Sequence, residues 1–161
     1  MNKQVVIDSN VLVALVDTKD KWHLTGSAIL SALEASKVSS IYFDCVLSET
    51  FSVLCRRSEE QRRLDQFPVL LNKLTQIAHK EAITWISPEI PRLYDDVVLL
   101  IRQHNGALNF HDALIGLFCQ ELGLRFIVSF DRDFDRIPWL TRIESEADVH
   151  RYFSACSNPH S

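Results

Sequence analysis

The chain has 161 residues, of which 47% are hydrophobic and 24% charged, and its net charge is −4. This length and composition fit one compact domain with a substantial apolar core and exclude an intrinsically disordered chain. The mild acidity argues against a non-specific binder of duplex DNA, because basic residues supply most of the affinity for a phosphate backbone. It does not argue against a nuclease, since a catalytic metal site is itself a cluster of acids.

Short β-rich segments alternate with segments of helical periodicity along the chain. This alternation predicts a three-layer α/β/α domain over residues 1–153, with a central parallel sheet of about four to five strands, followed by a frayed polar tail at 154–161. The predicted strands are Gln4–Ile7, Ser40–Phe43, Ala82–Ile86, Phe126–Ser129 and Thr141–Ile143. The predicted helices are Val11–Val16, Trp22–Ser36, one capped by Ser48 that runs to Arg57, Phe67–Ala78, Pro91–His104, and one capped by Asn109 and ended by Gly123.

The cysteines show no spacing typical of a zinc site or a redox pair. They are Cys45, Cys55, Cys119 and Cys156. The chain starts with no recognisable signal peptide, and it has no apolar stretch long enough to cross a membrane. We therefore expect a cytoplasmic protein with reduced thiols and no membrane partner.

Several other residues are given ordinary structural interpretations. The arginines at 56, 57, 62 and 63 are interpreted as a solvated face, and Asp17, Asp20, Asp44, Asp95 and Asp96 as solvent-facing residues or local caps. The phenylalanines at 110, 118, 126 and 134 are expected in the core, and some of Trp22, Phe67 and Trp139 in an exposed apolar patch.

Acidic residues recur where strands end or helices begin. Asp8 follows the first predicted strand, and Asp131 and Asp133 follow the fourth. Glu49 and Asp112 are expected in the first turns of helices, where exposed amide groups favour a carboxylate. Because these positions share the carboxyl edge of a parallel sheet, where ligands bind in open α/β folds, we expect the five acids to converge on one cleft.

Such convergence is unfavourable without a cation, because each carboxylate raises the pKa of its neighbours. Clusters of carboxylate oxygens suit Mg²⁺ or Mn²⁺, and these ions activate water and stabilise charge on a phosphodiester. Any one of these acids alone is more often a cap or a turn residue. Their joint placement indicates a metal-dependent nuclease.

The chain resembles the PIN-domain family, which includes the VapC-like toxins of toxin–antitoxin pairs. Four segments carry the resemblance, and together they extend over nearly the whole chain. They are Val5–Leu12, Leu47–Leu54, Phe110–Ile115 and Ser129–Phe134, the last followed by Ile137-Pro138. The region 58–91 is longer than in many such toxins.

The resemblance implies particular roles for these residues. Asp8, Glu49, Asp112 and Asp131 would be the catalytic, metal-binding carboxylates, and Asp133 would assist them directly or through water. Ser129 would orient the acidic loop, and Asn10 would line the cleft. The implied activity is Mg²⁺- or Mn²⁺-dependent endonucleolytic cleavage of single-stranded or structured RNA, by a homodimer that a small antitoxin protein inhibits.

The sequence suggests three other interpretations. The first is a His–Asp hydrolase that uses His111 and Asp112. Adjacent helix residues face different directions, so this pair cannot chelate one ion, and His111 is expected at the surface. A phosphoryl-transfer domain of the response-regulator type would want a lysine at a late strand end, and none is present there. A non-catalytic RNA- or protein-binding module on the same fold remains the alternative.

Overall fold

The computed structural model describes residues 3–154. Its centre is a five-stranded, wholly parallel sheet with strand order β3-β2-β1-β4-β5. The strands are β1 (Gln4–Ile7), β2 (Ser39–Phe43), β3 (Ile83–Thr84), β4 (Phe126–Val128) and β5 (Thr141–Ile143). Val5 to Ile7 of the middle strand β1 are fully buried, as expected of a parallel strand covered on both faces.

The α-helices of the described residues number seven. They are α1 (Ser9–Val16), α2 (His23–Ala35), α3 (Asp44–Glu60), α4 (Phe67–Ile77), α5 (Ile90–Gln103), α6 (Phe110–Glu121) and α7 (Glu146–Phe153). Helix α1 contacts α2, α3 and α4, and α7 packs on α2, whereas α5 packs on α6. These two groups of helices and the sheet between them confirm the predicted three-layer α/β/α architecture. No helix within residues 3–154 is both long and apolar enough to cross a membrane.

Local signals in the sequence account for several helix boundaries. The side chain of Asp8 accepts a hydrogen bond from the Ser9 amide at the start of α1, and that of Asn109 accepts one from the Asp112 amide at the start of α6. Gly123 ends α6 with a positive φ of 68°, and the next amide, of Leu124, bonds back to the Cys119 carbonyl. The predicted caps Asn109 and Gly123 are confirmed.

The prediction that Ser48 caps the third helix is wrong. Helix α3 begins at Asp44, and Ser48 lies exposed within it. The buried side chains of Cys45, Val46 and Leu47 pack against the core, which favours a helix that begins directly after β2. Glu49 therefore lies in the second turn of α3, away from the helix end that was expected to stabilise it.

Strand β3 is shorter than predicted, at two residues in place of Ala82–Ile86. The amide groups of Ile86 and Ser87 donate to the Asp44 carboxylate, at 2.9 and 3.1 Å, so the chain leaves the sheet there. Helix α7 was not predicted, although Ser145 and Asp148 form its N-terminal cap. The predicted tail at 154–161 lies, apart from Ser154, outside the described residues.

A buried ion pair corrects the interpretation of Asp17 and Arg63 as solvent-facing residues. The two side chains are 2% and 8% exposed, and the guanidinium donates to both carboxylate oxygens, at 2.8 and 3.0 Å. Asp20 likewise pairs with Arg57, at 2.6 Å. The pairs connect the loop after α1 to α3 and to the segment that follows it.

Gly116 brings α6 close to the loop that precedes β5. The Trp139 indole nitrogen donates to the Gly116 carbonyl at 2.7 Å, so Trp139 is half-buried and hydrogen-bonded. A Cβ atom at position 116 would lie only 2.7 Å from Cδ1 of Ile137. Any larger residue at position 116 would require the Ile137 side chain to shift.

Candidate metal centre

Asp8 stands at the carboxyl end of β1, where its hydrogen bonds connect β1 to the neighbouring strand β4 and to the start of α1. Its amide donates to the Val128 carbonyl of β4 at 3.0 Å. Its carboxylate accepts the Ser9 amide on one oxygen, at 2.8 Å, and the Ser129 hydroxyl on the other, at 2.6 Å. The side chain is thus held in one orientation by the ends of two neighbouring strands.

Ser129 and Asn10 hold the acidic loop that follows β4. The Ser129 oxygen accepts the Asp131 amide at 3.0 Å and the Asn10 side-chain amide at 3.2 Å. The Asn10 side-chain oxygen in turn accepts the Phe130 amide at 3.2 Å. Ser129 is fully buried. Ser129 thus contacts the acidic loop that it was expected to orient, and Asn10, which was expected only to line the cleft, holds the same loop.

Three carboxylates come together beside this network. Asp112, Asp131 and Asp133 each offer an oxygen that lies within 4.8 Å of the others. Asp131 also accepts the Asp133 amide at 2.9 Å and so caps the short 3₁₀ turn Arg132–Arg136. Asp133 is partly exposed and its carboxylate is 3.3 Å from the Arg136 guanidinium. We call Asp112, Asp131 and Asp133 the carboxylate triad.

Asp8 and Glu49 lie outside that 4.8 Å grouping of the described residues. Glu49 lines a cavity together with Ser9 and Asn10, the two residues that follow Asp8. The negative charge of Glu49 adds to the rise in the pKa of both Asp8 and Asp112. Glu49 is exposed, whereas Asp8 is almost completely buried. The structure therefore brings all five predicted acids to one edge of the sheet, with three in direct proximity and two beside them.

The site disfavours negative charge. Burial raises the pKa of Asp8 to about 6, with the charges of Glu49 and Asp131 adding to the rise and the hydrogen bonds from Ser129 and Ser9 opposing it. Burial, followed by the charges of Asp8 and Asp131, raises the pKa of Asp112 to about 7. Two carboxylates that ionise with difficulty in one cleft are a feature of functional sites.

The donor set fits a divalent cation with a preference for oxygen ligands. Oδ2 of Asp112 is buried and accepts no hydrogen bond from the described residues. A buried carboxylate oxygen without a partner is costly, and a cation at the triad would supply that partner. The ligands are all carboxylate oxygens, which suit Mg²⁺ or Mn²⁺ rather than softer metals.

Arg142 holds the acidic loop through three hydrogen bonds, a role that was not predicted from the sequence. Its guanidinium donates to the Ser129 carbonyl at 3.2 Å and to both oxygens of Asp135. The side chain is only 7% exposed. The available signal was its position in β5, next to β4, which Ser129 directly follows.

The surroundings of His111, of the four phenylalanines and of Trp22 can be compared with what was predicted for them. His111 is exposed, as expected. Phe118 and Phe134 are buried in the core, and Phe110 and Phe126 pack partly buried against it. Trp22 is 39% exposed and stacks on Phe130, with ring centroids 4.7 Å apart.

Comparisons with known proteins agree with this fold. The PIN domain model matches residues 5–140. The VapC20 toxin of Mycobacterium tuberculosis, a toxin that cleaves the sarcin–ricin loop, has a similar structure (TM-score 0.61, 20% identity, 83% of this chain and 95% of that one). So does PAE2754 of Pyrobaculum aerophilum (TM-score 0.63, 17% identity, 96% of this chain and 100% of that one). No curated protein matches the sequence. Since the family model extends over most of the chain, the protein belongs to the PIN domain family.

Proposed function

We propose that the protein is a metal-dependent endoribonuclease that hydrolyses RNA phosphodiester bonds with Mg²⁺ or Mn²⁺. The observation that carries the proposal is the carboxylate triad with its unpartnered, buried Asp112 oxygen, at the sheet edge where Asp8 and Glu49 also lie. Membership of the PIN domain family supports the same activity.

In this proposal Asp112 and Asp131 hold the cation, with Asp8 and Glu49 beside them and Asp133 as a weaker ligand. A divalent cation bound there would supply a nucleophilic hydroxide at neutral pH and positive charge for the phosphodiester. The Ser129 hydroxyl donates a hydrogen bond to the Asp8 carboxylate and accepts one from the Asp131 amide, which fixes the spacing of these two carboxylates. Hydrolysis by this route leaves a 5′-phosphate and a 3′-hydroxyl.

The biological setting belongs to the same proposal. VapC20, a structural neighbour, is a toxin that cleaves the sarcin–ricin loop. We propose by analogy that this protein is the toxin of a toxin–antitoxin pair, that it acts in the cytoplasm as a homodimer, and that a small antitoxin protein inhibits it. Its target is single-stranded RNA, including the unpaired loops of structured RNA.

The decisive experiment measures cleavage of end-labelled RNA with Mg²⁺, Mn²⁺ or excess EDTA. We expect cleavage only with a divalent cation, and 5′-phosphate ends on the fragments. Asp8→Asn, Glu49→Gln, Asp112→Asn and Asp131→Asn should each lower the rate about 100-fold or more, since cation catalysis is worth several kcal/mol. Asp133→Asn should be milder, because that side chain is partly exposed and close to Arg136.

The control is Asp95→Asn, which removes an exposed carboxylate of α5 and should leave the rate unchanged. Cleavage that survives EDTA, or fragments with cyclic phosphate ends, would exclude the carboxylate–metal mechanism. RNA binding without cleavage under any divalent cation would favour the alternative, a non-catalytic binding module on this fold.

A further inference from the structure

A cavity of about 380 Å³ opens beside the acidic site. Its walls are the start of α1, the loop 17–22 and the face of α3 that carries Glu49, Val53, Arg56 and Arg57. Asn10 and Glu49 line this cavity, and they also belong to the surroundings of the carboxylate triad. We call it the basic cavity, and it adjoins the surroundings of the site at which we propose cleavage.

The lining of the basic cavity has more basic than acidic side chains, although the chain as a whole is acidic. Its lining includes Lys19, Lys21, Arg56 and Arg57, in a chain with a net charge of −4. Asp20 neutralises Arg57 at 2.6 Å, whereas the exposed Arg56 has only a 4.0 Å contact with the exposed Glu60, a kind of pair that is worth little. Glu49 is the other acid of the lining, so the basic side chains of this cavity exceed the acidic ones by two.

An aromatic side chain stands among these cations. Trp22 is 39% exposed to the cavity side and stacks on Phe130, with an angle of 13° between the rings. Phe130 directly precedes Asp131 of the triad. The Lys21 ammonium lies 5.3 Å from the Trp22 ring centroid, on a long, exposed side chain. An aromatic surface flanked by mobile cations is the combination that binds single-stranded nucleic acid.

The loop that carries these residues is held in place by hydrogen bonds and ion pairs of two of its own carboxylates, Asp17 and Asp20. The Asp17 carboxylate accepts the Lys19 amide as well as the Arg63 guanidinium. The Asp20 carboxylate accepts the Trp22 amide at 2.8 Å and the Arg57 guanidinium on its other oxygen. The backbone at Trp22 is thereby held to α3 through Arg57, and the backbone at Lys19 to Arg63 in the segment after α3, which lowers the entropy cost of binding.

We infer that the basic cavity binds the single-stranded RNA that flanks the scissile phosphate, with a base stacked against Trp22 and phosphates at Lys19, Lys21 and Arg56. The inference rests on the proposed function and adds the path of the substrate. The cavity offers one aromatic surface and a short run of cations, which fits a few unpaired nucleotides and not the long footprint of a duplex.

The test measures the binding of a short, unstructured, fluorescent RNA to the full-length chain in EDTA, so that no cleavage occurs. Trp22→Ala should weaken binding about 5- to 100-fold, the contribution of one stacked base, and Trp22→Phe should retain most of the affinity. Lys19→Gln and Arg56→Gln should each reduce the slope of log K against log salt by about 0.7, the value for one phosphate contact on a single strand.

Matched controls lie at the opposite edge of the sheet. Tyr152, 40% exposed, and Arg125 flank the amino end of β4, remote from the acidic cluster. Tyr152→Ala and Arg125→Gln should leave both the affinity and the salt slope unchanged. Should Trp22→Ala fail to fold, the exposed-residue variants Lys19→Gln and Arg56→Gln still decide the question through the salt slope.

Several results would overturn the inference. These are unchanged RNA affinity and salt slope in all the cavity variants, loss of affinity in the controls to the same degree, or binding of polyglutamate in place of RNA. The proposed function fails separately. RNA binding that depends on the cavity, without cleavage under any cation, would refute the proposed ribonuclease and leave the inference standing. Cleavage that is insensitive to the cavity variants would support the ribonuclease and refute the inference.

Discussion

Replacing Asp112 by asparagine should stabilise the metal-free protein above pH 7, although it removes a carboxylate from the candidate catalytic site. The folded-state pKa of Asp112 is raised from 3.8 to about 7, mainly by burial. The folded protein therefore binds more protons than the unfolded chain between about pH 4 and pH 7, and its free energy of unfolding falls as the pH rises through this window. Above pH 7 the full cost of ionising Asp112 is present.

The size of this cost follows from the rise in the pKa of Asp112 on folding. About three pKa units at 1.36 kcal/mol each give about 4 kcal/mol. Asparagine at 112 avoids that cost, but it places an amide where the Asp112 Oδ2 atom already lacks a partner, which costs about 1–2 kcal/mol. The net gain at pH 8 is about 2 kcal/mol, or a melting temperature higher by about 4–8 °C for a domain of this size. At pH 4.5, where Asp112 is already neutral, no gain remains.

Thermal melts in EDTA at pH 4.5 and pH 8 test this reasoning, with Asp95→Asn as the exposed control. Added Mn²⁺ should reverse the order of the two proteins at pH 8, because only the wild type retains the ligand that the cation requires. An Asp112→Asn protein that melts below the wild type at pH 8 in EDTA would refute the argument. So would a stabilisation of equal size at both pH values.

Two further predictions concern stability and assembly. Arg63→Met should lower the free energy of unfolding by about 3 kcal/mol in urea titrations, because it leaves the buried Asp17 carboxylate without its partner, whereas the exposed Arg62→Met should change it little. A loss below about 1 kcal/mol for Arg63→Met would show that the pair contributes no more than a surface pair. Light scattering at micromolar concentration should give twice the chain mass of 18.5 kDa, and a monomer would contradict the proposed homodimer.

Those parts of the fold that depend on local sequence could be predicted. The buried strand before Asp8, the Asn109 cap and the Gly123 terminator each carry their signal within a few residues, and each is found as expected. The strand-end positions of Asp8 and Asp131 also follow from local pattern, combined with the rule that ligands gather at the carboxyl edge of a parallel sheet.

Those parts that depend on long-range contacts could not be predicted. The end of β3 is determined by Asp44, which is 42 residues away in the chain and accepts the Ile86 amide. Arg63 is buried because of Asp17, which is 46 residues away. Nothing near either residue distinguishes it from the solvated charges that surround it. The cap of α7 is different, because Ser145 and Asp148 carry a local signal that was overlooked.

The contact at Gly116 has a consequence for the choice of cation. Asp112 stands one helical turn before Gly116, and Asp133 stands four residues before Ile137, so the two sides of the carboxylate triad meet again at this glycine. The small size of Gly116 lets α6 lie against the segment that follows the acidic loop. Mg²⁺ tolerates little departure from octahedral geometry, so the separation of these two segments would affect how well the carboxylate triad fits that cation. If the proposed metal binds there, a change of packing at Gly116 should alter cation preference without changing any ligand.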